Sequence, residues 1–341
     1  MNSFTIDRRK FLIGAQALAA GAAMPGLLTG AARAQALSNI TYLTPFGFLI
    51  SFCETMYADT GGIFAKHGLN VTIEGGRGSS MAVQQVTAGN ALVSRTGGTD
   101  LIKAYAKDPS IVSVGEIFQR DIFYVISAEG AAVATPEEMA GKTIGIVSAA
   151  GATENILDMM LAAKDMKKED VAREVVGNAP AAFELVKQGR ISAFIATTDT
   201  AYQLRVDKQP IMAWSTDDVA LCPGQVYMTS KAQLEESKEE LAKFLAAVQE
   251  TLGVLFATDN LEPVVESMLT KYDVFEAKRP DKGVAVLKQG LKNYEKPYAD
   301  KLASSKERWD SAYSLMLKAG LIEETADQNF HDDTALKLAF G

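Results

Sequence analysis

Histidine and cysteine are nearly missing from this 341-residue chain, which holds only His67, His331, Cys53 and Cys222. A His-rich metal centre is excluded, and any Ser-His-Asp or Cys-His catalysis would have to use one of two imidazoles. Neither cysteine stands directly after the N-terminal apolar run, so there is no lipidation site. The two lie far apart, which leaves open a disulfide or, as the plainer reading, two unrelated buried thiols. Positive charge is also short, with 34 Lys and Arg against 42 Asp and Glu and a net charge of -8. Residues 1–36 carry Arg8, Arg9, Lys10 and Arg33 against Asp7, so the remainder stands near -11. Such acidity disfavours nucleic acid and anionic membranes as partners. No second long apolar run follows the first, so the rest of the chain reads as soluble.

What is present begins with an export signal. Asp7-Arg8-Arg9-Lys10-Phe11-Leu12 leads into the apolar run 13–28, and Ala32-Arg33-Ala34 and Ala34-Gln35-Ala36 offer small-x-small cleavage sites. A charged head, apolar middle and small-residue end mark a secretory signal peptide over residues 1–36. The paired arginines match the twin-arginine route to the periplasm. A membrane anchor is the alternative, but Gly14, Gly21, Pro25 and Gly26 interrupt a run already short of the roughly 20 residues a span needs.

About 305 residues remain, enough for two lobes or one large α/β unit. β-type runs alternate with amphipathic stretches: strand 40–43, helix 51–67 ending at Gly68, strand 69–74, helix 80–88, strand 91–94, helix 100–106, strands 111–119 and 123–127. Alternation of this kind predicts a parallel-rich sheet covered by helices. Thr135-Pro136-Glu137-Glu138 opens a second unit, with Thr135 as helix cap, Pro136 at the first helical position and Glu138 closing a capping box. Strands at 143–147, 174–176, 191–196, 211–214 and 225–229 alternate with helices at 154–164 and 181–188, and beyond Ser230 the chain is almost wholly helical.

Several segments carry a resemblance. Phe64-Ala65-Lys66-His67-Gly68-Leu69-Asn70-Val71, Gln84-Gln85-Val86-Thr87-Ala88-Gly89, Met139-Ala140-Gly141-Lys142-Thr143-Ile144-Gly145-Ile146 and Leu185-Val186-Lys187-Gln188-Gly189-Arg190-Ile191-Ser192-Ala193 occur in that order. Together they resemble the periplasmic binding proteins for sulfonates, nitrate, taurine and thiamine-pyrimidine precursors. The resemblance implies an α/β fold of type II, two lobes of mixed sheet flanked by helices, with a helical C-terminal region. It places lobe 1 at 37–126 plus 226–341 and lobe 2 at 127–225, with hinge crossings near 126–128 and 225–227. It implies a monomer that closes on a small molecule and docks peripherally on an ABC permease served by an ATPase, with no cofactor, metal or catalysis.

The same resemblance puts the ligand at the strand carboxyl ends, where free amides at helix N-termini favour an anionic or carbonyl oxygen. Four loops qualify, each of which reads equally as ordinary turn chemistry. They contain Thr44, Phe46 and Phe48; Arg77, Ser79 and Ser80; Thr96 and Thr99; and Ser148, Gly151 and Thr153. The glycines at 75–78 lack G-x-G-x-x-G spacing, which excludes a nucleotide fingerprint. Arg77 is a candidate partner for a sulfonate or carboxylate, or else a solvated loop arginine. Glu154 either complements its helix dipole or holds a ring N–H; Asp199 is a polar contact from the second lobe. Phe46 from one side and Trp214 from the other could sandwich a planar ring. This apolar first loop departs from the polar loops expected for inorganic anions and points to an organic, aromatic or heterocyclic ligand. Two rival readings stay open: a pyrimidine-synthase-like enzyme on the same fold, with His67 the one histidine near a candidate segment, and a ligand-sensing receptor.

Overall fold

The computed structural model describes residues 36–341, so the expected signal segment, with Arg8 and Arg9, lies outside the described residues. The strands are β1 (Ser38–Thr44), β2 (Leu69–Gly75), β3 (Val93–Gly97), β4 (Ile111–Phe118), β5 (Phe123–Ala128), β6 (Thr143–Ile146), β7 (Ala172–Val175), β8 (Ala193–Thr197), β9 (Ile211–Ser215) and β10 (Gln225–Ser230). Between them run α1 (Cys53–Thr60), α2 (Ile63–Lys66), α3 (Ser79–Thr87), α4 (Gly98–Tyr105), α5 (Ala152–Ala163), α6 (Phe183–Lys187) and α7 (Thr198–Val206). After β10 come α8 (Lys231–Phe256), α9 (Glu262–Leu269), α10 (Pro280–Gly290), α11 (Glu295–Ala299), α12 (Lys306–Lys318) and α13 (Thr334–Phe340).

The strands form two five-stranded sheets, ordered β2-β1-β3-β10-β4 and β7-β6-β8-β5-β9. Each contains parallel neighbours plus one antiparallel strand donated from across the chain. β10 runs against β3 and β4 in the first sheet, and β5 runs against β8 and β9 in the second. Strand composition follows position. Edge strand β2 alternates buried Leu69, Val71 and Ile73 with exposed Asn70, Thr72 and Glu74, whereas interior β3 is buried throughout. The other edge, β4, is covered rather than blunted: Ser113 N–H donates to Phe330 O (2.9 Å) and Asp332 N–H to Ser113 O (2.8 Å).

Strand pairing moves the expected crossings. Phe123 pairs with Thr197 and Tyr124 with Ser215, so all of β5 belongs to the second sheet, and Gln225 pairs with Gly97 in the first. The chain therefore passes between sheets at 119–122 and 216–224, a few residues before the expected 126–128 and 225–227. Hydrogen bonding decides the point, because a strand cannot change sheets midway through a continuous ladder. The two crossings touch: a Cβ on Gly224 would lie 1.8 Å from Arg120 O, and Gly224 N–H donates to Phe118 O (3.1 Å). Asp217 joins them to the C-terminal region, accepting from Arg120 Nε (3.1 Å) and Arg308 Nη1 (2.6 Å).

Two local expectations fail. The stretch expected as one helix over 51–67 is cut at Gly61-Gly62, where Gly62 adopts a left-handed φ of 73° and separates α1 from α2. The expected capping box at Thr135 does not form. Only the turn Glu137–Met139 is helical, and Glu138 Oε2 instead accepts from Ala134 N–H (2.7 Å).

Candidate functional site

The two sheets turn their carboxyl ends toward each other, so the loops feeding α1, α3, α4, α5 and α7 meet. Direct bonds join them. Ser51 N–H, ahead of α1, donates to Asp199 Oδ2 in the first turn of α7 (2.9 Å). Asn155 Nδ2 on α5 donates to Asp100 Oδ1 on α4 (2.7 Å), and Lys103 Nζ donates to Asn155 Oδ1 (2.7 Å). Ser80 Oγ donates to Ala150 O (2.9 Å), and the Ser148 hydroxyl lies 2.9 Å from where a Cβ on Gly78 would stand. Such close approach explains a glycine at 78, whose φ of 141° also falls outside the range L-residues prefer.

Behind this seam, Arg95 on β3 is fully buried. Its Nη1 donates to Glu54 Oε1 (2.9 Å) and Ser51 O (2.6 Å), its Nε donates to Gln225 Oε1 (2.8 Å), and its guanidinium lies 4.3 Å from the Phe118 ring centroid. Glu54 also accepts from Tyr227 OH (2.8 Å) and Tyr294 OH (2.7 Å). Burial works against the guanidinium charge, but Tyr294 and Glu54 more than offset it and hold the Arg95 pKa above its ordinary value.

Around the seam, several buried polar atoms have no hydrogen-bond partner among the described residues: Ser51 Oγ, Ser79 Oγ, Thr96 Oγ1, Asp100 Oδ2 and Asp199 Oδ1. The Ser79 hydroxyl is near enough to favour the ionised Asp100, as Ser51 is for Asp199, without full hydrogen-bond geometry. Burial nevertheless pushes Asp100 up to about 7 and Asp199 up to about 6. Glu276, which accepts from Ile50 N–H (3.3 Å), is raised to about 8 by burial and then by Asp199. Buried polar groups are normally satisfied, so partnerless ones where loops converge make the seam the candidate site.

The structure brings Ser79, Ser80, Thr96, Ser148 and Asp199 to this seam, with Thr99 buried in α4 and Gly151 capping α5. Other expected residues are committed elsewhere. Thr44 Oγ1 donates to Gly47 O (2.5 Å), and Thr153 Oγ1 accepts from Val147 N–H (2.9 Å), so each ties up its own turn. Phe46, by contrast, stays where the two sheets meet, half-buried and edge-on to Phe123 on β5 at 6.2 Å, while Phe48 packs on Tyr272 at 5.0 Å. Glu154 accepts from Ala150 N–H (2.6 Å) and sits 3.6 Å from Arg173 Nε. Trp214, on edge strand β9, gives its indole N–H to Val133 O (2.7 Å). Arg77 is exposed. Sequence reasoning missed Ser51, Glu54, Arg95, Asp100, Asn155 and Glu276. It did treat the thiols correctly, since Cys53 and Cys222 are free and buried.

A sequence model of a protein family, described as "NMT1/THI5 like", matches residues 50–260, more than half the chain. The chain belongs to the NMT1/THI5-like family. It is 25% identical over 268 residues to the formylaminopyrimidine-binding protein of Halalkalibacterium halodurans, an overlap covering 75% of this chain and 77% of that one. Its fold is shared with solved periplasmic binding proteins. The alkanesulfonate-binding protein SsuA of Xanthomonas axonopodis pv. citri, bound to MOPS, superposes with a TM-score of 0.66 at 12% identity, covering 85% of this chain and 96% of that one. The periplasmic nitrate-binding protein NrtA of Synechocystis does so with a TM-score of 0.61 at 12% identity, covering 89% and 88%. These neighbours share two mixed sheets flanked by helices, the architecture expected of this NMT1/THI5-like chain. No helix among its described residues is long and apolar enough to cross a membrane.

Proposed function

We propose that this chain is the exported, solute-binding component of an ABC importer, capturing a small organic molecule between two lobes and delivering it unchanged to a membrane permease. The observation that carries this reading is the seam itself. It joins loops from both sheets through Ser51–Asp199, Ser80–Ala150 and Asn155–Asp100, and buried polar atoms without a partner among the described residues lie beside these bonds. A ligand that contacts both sides would supply differential affinity for a closed form. Lobe 1 would comprise the first sheet with α8 to α13 and lobe 2 the second sheet, hinged at 119–122 and 216–224. The pairs Arg9 with Arg8 and Ala34 with Ala36 support export by the twin-arginine route and cleavage.

Binding without chemistry fits the side chains. His67 is held by Glu250 (2.9 Å) at the end of α2, His331 is exposed, and burial raises both thiols well above their ordinary pKa. None of these is an activated nucleophile at the seam.

A thermal-shift screen of sulfonates, carboxylates, pyrimidines and flavins identifies the ligand, and small-angle scattering with and without the hit measures closure. The reading expects a higher melting temperature, a smaller radius of gyration and no product. Phe46→Ala should weaken binding about tenfold with the fold intact, by removing an aromatic face worth roughly 0.5–1.5 kcal/mol beyond its buried area. An unchanged radius at saturating ligand, or turnover of that ligand, refutes it.

A further inference from the structure

Helices α7 and α10 carry charges of the wrong sign for their own dipoles. A carboxylate is unfavourable at a helix C-terminus and a cation at an N-terminus. Yet Asp207 directly follows the last turn of α7, while Arg279 precedes α10 and Lys282 stands in its first turn. Asp281, which has the expected sign in that turn, is exposed. The misplaced charges find one another. Asp207 Oδ1 accepts from Arg279 Nη2 (2.6 Å) and from Lys282 Nζ, and Gln203 Nε2 on α7 donates to Asp207 Oδ2 (2.7 Å). The Lys282 and Asp207 side chains are only 21% and 22% exposed, which spares them much of the screening that weakens surface pairs.

This bond crosses between the two halves. α7 packs on β5, β8 and β9 of the second sheet, whereas α10 packs on α9, which lies against α1, and on the turn Ile50–Phe52 ahead of α1. The two helices run antiparallel, because the end of α10 meets the start of α7: a Cβ on Gly290 would lie 3.7 Å from Asp199 Oδ1. Neither helix belongs to the crossings at 119–122 and 216–224, so rotation about those crossings has to break the α7–α10 contact. On the other flank α12 packs on both α4 and α5, but its ion pair there, Lys318 Nζ with Asp165 (2.9 Å), is exposed on both sides.

We propose that α10 is a clasp: Arg279 and Lys282 grip Asp207 only when the halves are together, and this network helps set the balance between open and closed protein. The inference rests on the two-lobe closure argued above and adds to it a control outside the seam. Ser51 N–H is received by Asp199 in the first turn of the same α7, so one short helix joins clasp and seam. Asp207 is thus a positioning residue, which holds α7, and through it Asp199, without touching a ligand.

Hydrogen exchange at the Ser51 amide, measured on the ligand-free protein, reads opening of the seam, because its acceptor lies on the other half. Asp207→Asn should raise the opening constant at least about threefold. Raising sodium chloride from about 0.1 to about 1 M, which shortens the screening length from about 10 to about 3 Å, should do the same to the wild type. Exchange at Tyr227, inside the first sheet, should not change, which separates opening from unfolding. Lys318→Ala should leave both amides as they are. If Asp207→Asn fails to fold, Arg279→Ala with Lys282→Met removes the same bonds from the other side. Unchanged exchange at Ser51 in a folded variant overturns the clasp and leaves the solute-binding reading standing. An equal rise at Ser51 and Tyr227 also overturns it, since Asp207 would then only support the fold. If Ser51 responds as expected but no solute in the screen compacts the protein, the clasp stands and the solute-binding reading falls.

Discussion

Arg95→Met should be among the most damaging single substitutions in the protein. Both Arg95 and Glu54 have fully buried side chains, so removing the guanidinium strands the Glu54 carboxylate with only Tyr227 OH and Tyr294 OH to solvate it. Breaking a buried pair in this way costs about 3–5 kcal/mol, a large share of the roughly 5–15 kcal/mol that keeps a protein folded. Methionine fills much of the volume between the Phe52 and Phe118 rings, so most of the loss is electrostatic rather than a cavity. The control is the double variant Arg95→Met with Glu54→Leu, in which no charge is left behind. Replacing both partners by apolar groups is often near neutral, so the double variant should recover at least about 2 kcal/mol relative to Arg95→Met alone. Urea unfolding at pH 7, read by midpoint at constant slope, measures all three proteins. Strictly additive losses would refute the claim that these residues act as one desolvated unit. The perturbation also reaches the site. Arg95 holds Ser51 O, and the Ser51 amide holds Asp199, so Arg95→Met should weaken the ligand although it need not touch it.

Melting temperature should fall as pH rises from 5 to 8. Burial raises Asp100, Asp121 and Glu116 to about 7 and Glu276 to about 8, whereas unfolded carboxylates titrate near 4. The folded chain then binds more protons than the unfolded one across this window, so stability is greatest on the acidic side and is lost as these groups ionise. Asp121→Asn should flatten part of that slope, since Asp121 is desolvated at the first crossing and faces the Thr216 hydroxyl, the Asp217 carboxylate and the amides of Ile122 and Phe123. Gly224→Ala should cost more than about 3 kcal/mol by chemical denaturation, because its Cβ would fall on a backbone carbonyl that cannot yield. Cys53 and Cys222 should react with a thiol reagent only at the rate at which the protein opens; fast labelling of the native form would contradict their burial.

Much of the fold was legible because local chemistry and tertiary placement agree. The runs at 40–43, 69–74 and 111–119 lie within a residue or three of β1, β2 and β4, each a β-rich stretch bounded by turn residues. Legibility failed where a local rule had two solutions. Apolar residues at 52, 56, 63 and 64 keep a helical period across Gly61-Gly62, so only the left-handed φ at Gly62 reveals the break. Thr135-Pro136-Glu137-Glu138 satisfies the capping-box pattern, yet Glu138 caps Ala134 N–H one residue earlier. The C-terminal helices α11 and α13 were not resolved individually from the sequence, and nothing local announces that Arg308 on α12 reaches back to Asp217 between the sheets.

The site was less legible for a reason that Arg95 makes plain. Loop residues were sought because turn chemistry is a local signal, and several of them, Thr44, Thr153 and Glu154, spend their polar atoms on their own turns. The seam is instead organised by side chains whose partners are remote in sequence: Arg95 with Glu54, Asp100 with Asn155, Ser51 with Asp199. One clue was nonetheless available. Arg95 directly follows the run 91–94 read as a strand, and in the structure Val93-Ser94-Arg95-Thr96-Gly97 is interior strand β3, where neither face reaches water. A cation there demands a buried carboxylate. Glu54, one residue into a helix otherwise lined by Phe52, Cys53 and Met56, is the acid whose surroundings are equally out of character. Two charges that are each misplaced alone make sense only as a pair. That pairing fixes α1 against β3 and sets the Ser51 amide opposite the second sheet.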